Sequence, residues 1–324
     1  MWSRFDVAGA LTRSFGRQSP LAADDGSTSA AIQLHFDELV AMRGRHPSFG
    51  RNQRMDGFRF GDLPSRRRGI GLELDSIGPY QWGDDIRHMD WFATARIGRP
   101  QVKQFRHDVQ QTVILALDLR PHMMFGSKDQ LMAKTACLAA AKIAWLTSKD
   151  HQPLGLLIIG DGDRAEFYPP RRGRRARLQY LTRIIDAYQL ALEHRGVTSA
   201  SLADKLEDLP SRMSGDVEAV VISDFSQLGD DFEQRLRESS AKGTQSAIVI
   251  EDSLMSAPPP PGLYPLRSGQ DQRLAMVAIR KNDTNLYKVQ VERNRRDLRA
   301  HLLSLGMRQV MTADAQSINE GYFR

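Results

Sequence analysis

Apolar positions in the middle of this chain come in short unbroken runs separated by longer, periodic stretches. Val113-Ile114-Leu115-Ala116-Leu117 is continuous and ends in Asp118, the pattern of a strand covered on both faces. Leu154 to Ile159 forms a second such run, Val217 to Ile222 a third that ends in Ser223-Asp224, and Ala247 to Ile250 a fourth. Ala165 to Tyr168 reads as a short additional strand, and Arg308 to Met311 as the last one. Between them, an Ala-rich apolar helix is expected over Lys128–Ser148, with further helices over 174–190, 199–208, 229–241 and 291–305. Strands alternating with helices predict an α/β fold, a doubly wound and mostly parallel sheet flanked by helices.

Upstream of residue 111 the pattern differs. Residues 1–28 are rich in Ser, Ala, Gly and Asp without periodicity and read as a flexible arm. Ile32, Leu34, Phe36, Leu39 and Val40 mark a short amphipathic helix within Ala30–Met42. Residues 44–70 are basic and irregular. Leu72 and Leu74 alternate with Glu73 and Asp75, and Val102 and Phe105 flank Lys103 and Gln104, so both stretches read as strands. Between them, Asp84 or Asp85 is placed to cap a short helix within Gly83–Arg96. The expected organisation is an arm at 1–28, a helix plus β-containing extension at 29–110, and the α/β domain at 111–324. Pro258 to Pro261 interrupts that domain as a rigid bend.

Composition narrows the possibilities. With 41% hydrophobic and 26% charged residues, the 324-residue chain is expected to be soluble. No stretch approaches the roughly 20 apolar residues that span a bilayer. The first residues, Met1-Trp2-Ser3-Arg4, lack the order of a secretory signal. Cys137 is the single cysteine and lies within an apolar helix, so it reads as core, and a cytoplasmic location is the default expectation. A net charge of +6 reflects local clusters at Arg66-Arg67-Arg68 and at Arg171, Arg172, Arg174, Arg175 and Arg177. Such runs attract phosphates. With little aromatic interleaving beside them, they read first as the ordinary solvated face of a helix or loop.

Candidate chemistry centres on the strand ends. In an open α/β sheet, ligands gather beyond the carboxyl ends of the strands where the strand order reverses. Asp118 and Asp224 both directly follow apolar strands. Two carboxylates with neighbouring hydroxyls suit Mg²⁺, which takes oxygen ligands; acidic residues at such places also serve simply as loop caps. No phosphate loop, dinucleotide fingerprint, His-Glu-x-x-His or Gly-x-Ser-x-Gly motif is present. The expectation is therefore a protein that is not an enzyme and needs no cofactor, Mg²⁺ remaining the one candidate. The competing expectation is a divalent-metal phosphoesterase or nuclease using Asp118, Asp224 and Asp161, or a nucleic-acid binder using the arginine clusters.

One longer series of residues is more specific. Tyr80-Gln81-Trp82-Gly83-Asp84-Asp85-Ile86-Arg87 is followed by Met89-Asp90-Trp91 and Thr94-Ala95-Arg96. Val102-Lys103-Gln104-Phe105 comes next, then the strand into Asp118, then Phe125-Gly126 and Lys134. This series resembles the bacterial family called domain of unknown function fifty-eight, with Gly83, Asp84, Asp85, Arg87, Asp90, Trp91 and Arg96 as its signature. Within the signature, Asp90 with Arg87 or Arg96 is expected as a buried ion pair, and Trp82 and Trp91 as pins against the sheet. The resemblance implies a von Willebrand factor A-like domain whose first strand usually runs into Asp-x-Ser-x-Ser, the start of a metal-ion-dependent adhesion site. Here the segment is Asp118-Leu119-Arg120-Pro121-His122, so Arg120 and His122 stand in place of both serines. The resemblance further implies an adaptor that partners a MoxR-type AAA+ ATPase, with Asp118, Arg120, His122, Ser223 and Asp224 as partner-binding residues.

Overall fold

A computed structural model describes residues 30–44, 68–106, 112–149, 152–162, 164–193, 201–206, 217–226, 228, 231–255, 259–267, 274–280 and 283–324. The arm expected at 1–28, Arg66 and Arg67 lie outside the described residues. The chain divides into two compact units, Gly61–Gln111 and the remainder.

The larger unit begins with α1 (Phe36–Ala41), and the smaller one holds β1 (Arg68–Pro79), α2 (Trp91–Ile97) and β2 (Gln101–Arg106). The larger unit resumes with β3 (Thr112–Asp118), α3 (Met132–Lys149), β4 (Leu154–Ile159), β5 (Ala165–Arg171) and α4 (Arg174–Glu193). It continues with α5 (Leu202–Leu206), β6 (Val217–Ser223), α6 (Phe232–Lys242), β7 (Thr244–Ile250), β8 (Gly262–Arg267) and β9 (Leu274–Ile279). The last elements are α7 (Asp283–Ser304), β10 (Gln309–Ala313) and α8 (Ala315–Glu320). Six strands form one sheet in the order β10-β7-β6-β3-β4-β5, parallel throughout except for β5. From β3 the chain winds outward through β4 and β5, then returns to the other side of β3 and winds outward again. The order therefore reverses between β3 and β6, as a doubly wound sheet requires.

Period-two alternation divides β3 between two cores. Val113, Leu115 and Leu117 join one core with α1, α3 and α4, while Ile114 and Ala116 join another with α5, α6 and the end of α7. Helix α3 is buried along almost its whole length. Small residues such as Ala133, Ala136, Ala139 and Ala140 let the sheet, α1, α4 and α8 approach it closely.

The helix expected at 30–42 belongs to this core. Leu39 and Met42 are buried, and the Leu39 carbonyl accepts from Trp145 Nε1 at 2.9 Å. Lys134 Nζ, itself buried, donates to the carbonyls of Ala30 and Gln33 and pairs with Glu38 at 2.8 Å. The expected helix at 291–305 starts earlier, at Asp283, and the hairpin β8–β9 after the proline run has no clear strand pattern in the sequence.

Two features close the sheet's edges. Strand β5 carries Pro169 and Pro170, neither of which offers an N–H. On the far side, Thr312 of β10 exchanges both backbone hydrogen bonds with Arg324, at 2.9 Å each.

Arg177 corrects the expectation for the arginine run. It is buried, with Nε donating to the Ala144 carbonyl and Nη2 to the carbonyls of Thr147 and Gln152, at 2.8–3.0 Å. It thus ties the C-terminal part of α3 to the loop beyond it. Arg171, Arg172, Arg174 and Arg175 are exposed. Arg177→Met is expected to lose about 3 kcal/mol of stability, since the bonds from one buried guanidinium to three carbonyls are lost together. Arg172→Ala should stay within about 0.5 kcal/mol of the parent. Urea denaturation of the two variants measures both.

Candidate functional site

The turn after β3 is organised by its own first residue. Asp118 is fully buried, and an unpaired carboxylate there would be costly. Arg120 lies two residues on and folds back onto it: the backbone N–H and Nε donate to Asp118 Oδ1 at 3.0 and 2.9 Å, and Nη2 to Oδ2 at 2.7 Å. Arg120 is as buried as its partner. A planar fork against a carboxylate is the geometry in which a guanidinium binds most strongly. Pro121 then opens a 3-10 turn, Pro121–Met124, that seats Met123 in the core.

The end of β6 meets this pair. Ser223 Oγ donates to Asp118 Oδ2 at 2.7 Å and accepts the N–H of Phe225 at 3.1 Å. Asp224 Oδ1 lies 3.0 Å from His122 Nε2, which is also 3.7 Å from Asp118 Oδ2. Phe225 has a φ of +55°, a region that a bulky residue seldom enters. Its buried ring packs edge-on against Phe232 with centroids 6.4 Å apart. Tertiary packing therefore holds a strained backbone next to Asp224, at a cost on the order of 1–3 kcal/mol.

All five strand-end residues singled out in the sequence thus converge at the switch point. Asp161 does not join them: it lines a shallow apolar groove with Leu119, Pro121, Ile158, Arg164 and Leu190, and accepts the N–H of Gly162. Sequence reasoning missed two participants. Phe225 gives no local signal, because its φ is imposed by packing. Asp252, after β7, does carry the strand-end signal that marks Asp118. It is buried, accepts the N–H groups of Ser127 and Leu254, and also binds the Ser127 hydroxyl, tying the loop before α3 to this edge.

Ligand atoms of Asp118, His122 and Asp224 lie within 4.8 Å of one another, close enough for one cation. The donor set does not fit hydrated Mg²⁺. Both Asp118 oxygens are held by the guanidinium, at 2.9 and 2.7 Å, so a cation on them would meet a fixed positive charge. His122 adds a nitrogen where Mg²⁺ takes oxygen.

The signature segment in the smaller unit is a structure of caps. Asp84 accepts the N–H of Gln81, Asp85 that of Arg87, and Asp90 that of Ala93 at the start of α2. Gly83 and Gly98 take positive φ at the turn and at the α2 terminus. The expected burial of Asp90 with Arg87 or Arg96 is corrected. Asp90 is a helix cap 4.0 Å from Lys103, while Arg87 lies beside Asp85 and Arg96 is exposed. The tryptophans do not act as pins either, since Trp82 is 100% and Trp91 67% exposed.

Strand order, an antiparallel edge strand and carboxylates at the switch point fit the von Willebrand factor A-like domain that the sequence resemblance implies. The chain belongs to the family described as protein of unknown function DUF58, whose model matches residues 76–298. An uncharacterized protein of Mycobacterium tuberculosis is 34% identical over 201 residues, which cover 62% of this chain and 61% of that relative's length. A conserved hypothetical protein, BatB, of Bacteroides thetaiotaomicron aligns over 65% of this chain and 93% of its own, with 12% identity and a TM-score of 0.35. An aerotolerance-related membrane protein of Bacteroides fragilis aligns over 65% and 94%, with 14% identity and a TM-score of 0.37. A von Willebrand factor type A protein of Catenulispora acidiphila aligns over 46% and 35%, with 12% identity and a TM-score of 0.30. No helix among the described residues is long and apolar enough to cross a membrane.

The His122–Asp224 pair gives the site a pH signature. Burial on its own would lower the His122 pKa, but Asp224 and then Asp118 outweigh it, so the imidazole titrates above its ordinary 6.5. Burial would raise Asp224, but His122 outweighs it and holds the carboxyl below its ordinary 3.8. The histidine's contribution is complete below about pH 6.5 and disappears as pH rises through its raised value. The carboxylate's is present above about pH 4 and disappears as pH falls through its lowered value. Substituting His122→Gln should therefore depress the thermal midpoint most near about pH 5–6 and progressively less on the alkaline side. A difference that stays flat from about pH 5 to about pH 9 would contradict this pairing.

Proposed function

We infer that this chain works by binding another protein at the carboxyl ends of its strands, as a non-enzymatic adaptor in the cytoplasm. Its adhesion-type site is degenerate, with an internal arginine in place of the cation. The observation that carries this reading is the bidentate Arg120–Asp118 pair, fully buried at the strand-order switch. In the metal-dependent arrangement that the family resemblance implies, a cation bridges the domain to a carboxylate of its partner. Here the Arg120 guanidinium takes that position and pairs internally with Asp118, so the site is complete without an ion and binding would need none. The family resemblance also suggests the partner, a MoxR-type AAA+ ATPase, in a chaperone-like or complex-assembly role.

The competing reading, a metal-dependent phosphoesterase or nuclease, draws on the closeness of Asp118, His122 and Asp224. It is weaker, because Asp118 is neutralised internally and Asp161 is not among the groups close enough to share a cation with it. The phosphate-gripping arginine run has also lost Arg177 to the core.

Two experiments bear on this reading. Mg²⁺ should leave the thermal midpoint of the native chain unchanged. The double variant Arg120→Ser with His122→Ser, which rebuilds Asp-x-Ser-x-Ser, should gain a Mg²⁺-dependent rise. A native chain that takes up Mg²⁺ by calorimetry would remove the proposal. In a pull-down from the native host, the tagged chain should recover an AAA+ ATPase, and Asp224→Ala should weaken the recovery about tenfold, the loss expected of an interface hot spot. Arg120→Ala should do the same but strands a buried carboxylate at a cost of about 3–5 kcal/mol, so its folding is checked by circular dichroism. Recovery without any ATPase would count against the assignment of the partner.

A further inference from the structure

The smaller unit holds a second surface that the strand-end reading does not use. Helix α2 turns Ala93 inward and uses Thr94 Oγ1 to accept the N–H of Gln101. Trp91, Phe92, Arg96 and Ile97 are left on its exposed side. Phe92 is 93% and Ile97 52% exposed. Such large apolar groups gain little from the unit's own packing and are expensive to hold in water. They are presented rigidly: Asp90 caps the helix, Gly98 ends it in a left-handed turn, and the Asp90 N–H donates to the Gln101 carbonyl at 2.8 Å.

The charge on this face has one sign. From Trp91 to Arg99 it carries Arg96 and Arg99 and no carboxylate. The three acids of the preceding loop, Asp84, Asp85 and Asp90, are turned to backbone N–H groups as caps. Aromatic side chains interleaved with arginine make the composition in which interface hot spots are concentrated. Complementarity then asks for an occupant that offers apolar side chains beside negative charge.

We propose that the outer face of α2, formed by Trp91, Phe92, Arg96, Ile97 and Arg99, is a docking surface for an amphipathic acidic segment of a partner protein. Apolar side chains of the segment cover Trp91 and Phe92, and its carboxylates pair with the two guanidiniums. This contact uses no residue of the strand-end site.

The test uses the full chain and a labelled synthetic peptide, roughly 18 residues or five helical turns long, with leucines at helical spacing among glutamates. Fluorescence anisotropy should show saturable binding that weakens with salt. Phe92→Ser and Arg96→Glu, both at exposed positions, should each weaken binding about tenfold or more without moving the thermal midpoint, while His122→Gln leaves it unchanged. A lysine-for-glutamate version of the peptide should not bind. Absence of binding, equal binding of the two peptides, or insensitivity to both substitutions overturns the proposal. So does capture of this face by phosphatidylglycerol vesicles, or by a second copy of the chain in sedimentation, in preference to the peptide.

Discussion

The buried pair between Asp118 and Arg120 is the constraint on which the surrounding architecture depends. A carboxylate at the end of a central strand must find compensation, and this chain supplies it from two residues further along, so the turn carries its own counter-charge. The consequences run outward. With Arg120 folded back, Pro121 can open the turn that buries Met123 and directs the chain towards α3. Ser223 joins the same carboxylate from β6, so the two strands at which the winding reverses are tied side chain to side chain as well as through their backbones. The geometry of the site and the stability of the turn are therefore one arrangement.

Two further cations act in the same internal way. Lys134 and Arg177 spend their charge mainly on backbone carbonyls, one gathering the segment before α1 and the other closing the C-terminal turn of α3. Bonds to a charged donor are roughly twice as strong as neutral ones, which suits places where loose chain must be held against a helix. A basic sequence balance thus overstates the charge available to outside partners, because part of it is structural.

The parallel sheet was legible because its strands are buried on both faces, and unbroken apolar runs as short as Val113–Leu117 and Val217–Ile222 suit the middle of such a sheet. The convergence of Asp118 and Asp224 followed from strand-end position alone. Other features depend on three-dimensional context. Helix α3 is buried all round, so no apolar stripe marks its start, and the expected beginning at Lys128 precedes the observed Met132. Arg177 looks in the sequence like its exposed neighbours, and only the nearby end of α3 gives it a different fate. Phe225 carries no mark of its positive φ. The tryptophans of the signature segment are expected inside because they are large and apolar, yet among the described residues of that unit burial goes to Ala93, Gln101 and Val102 instead.

The edges of the main sheet limit how anything can associate with it. An outer strand with free N–H and C=O groups invites another chain to add itself by backbone pairing. Consecutive prolines on β5 withhold two donors there, and the pairing of Thr312 with Arg324 occupies β10 on the opposite side. Growth of the sheet sideways is thereby discouraged, a safeguard against the strand-to-strand stacking that leads to fibrils. Recognition is left to side chains, which discriminate among neighbours far better than a peptide backbone common to every protein.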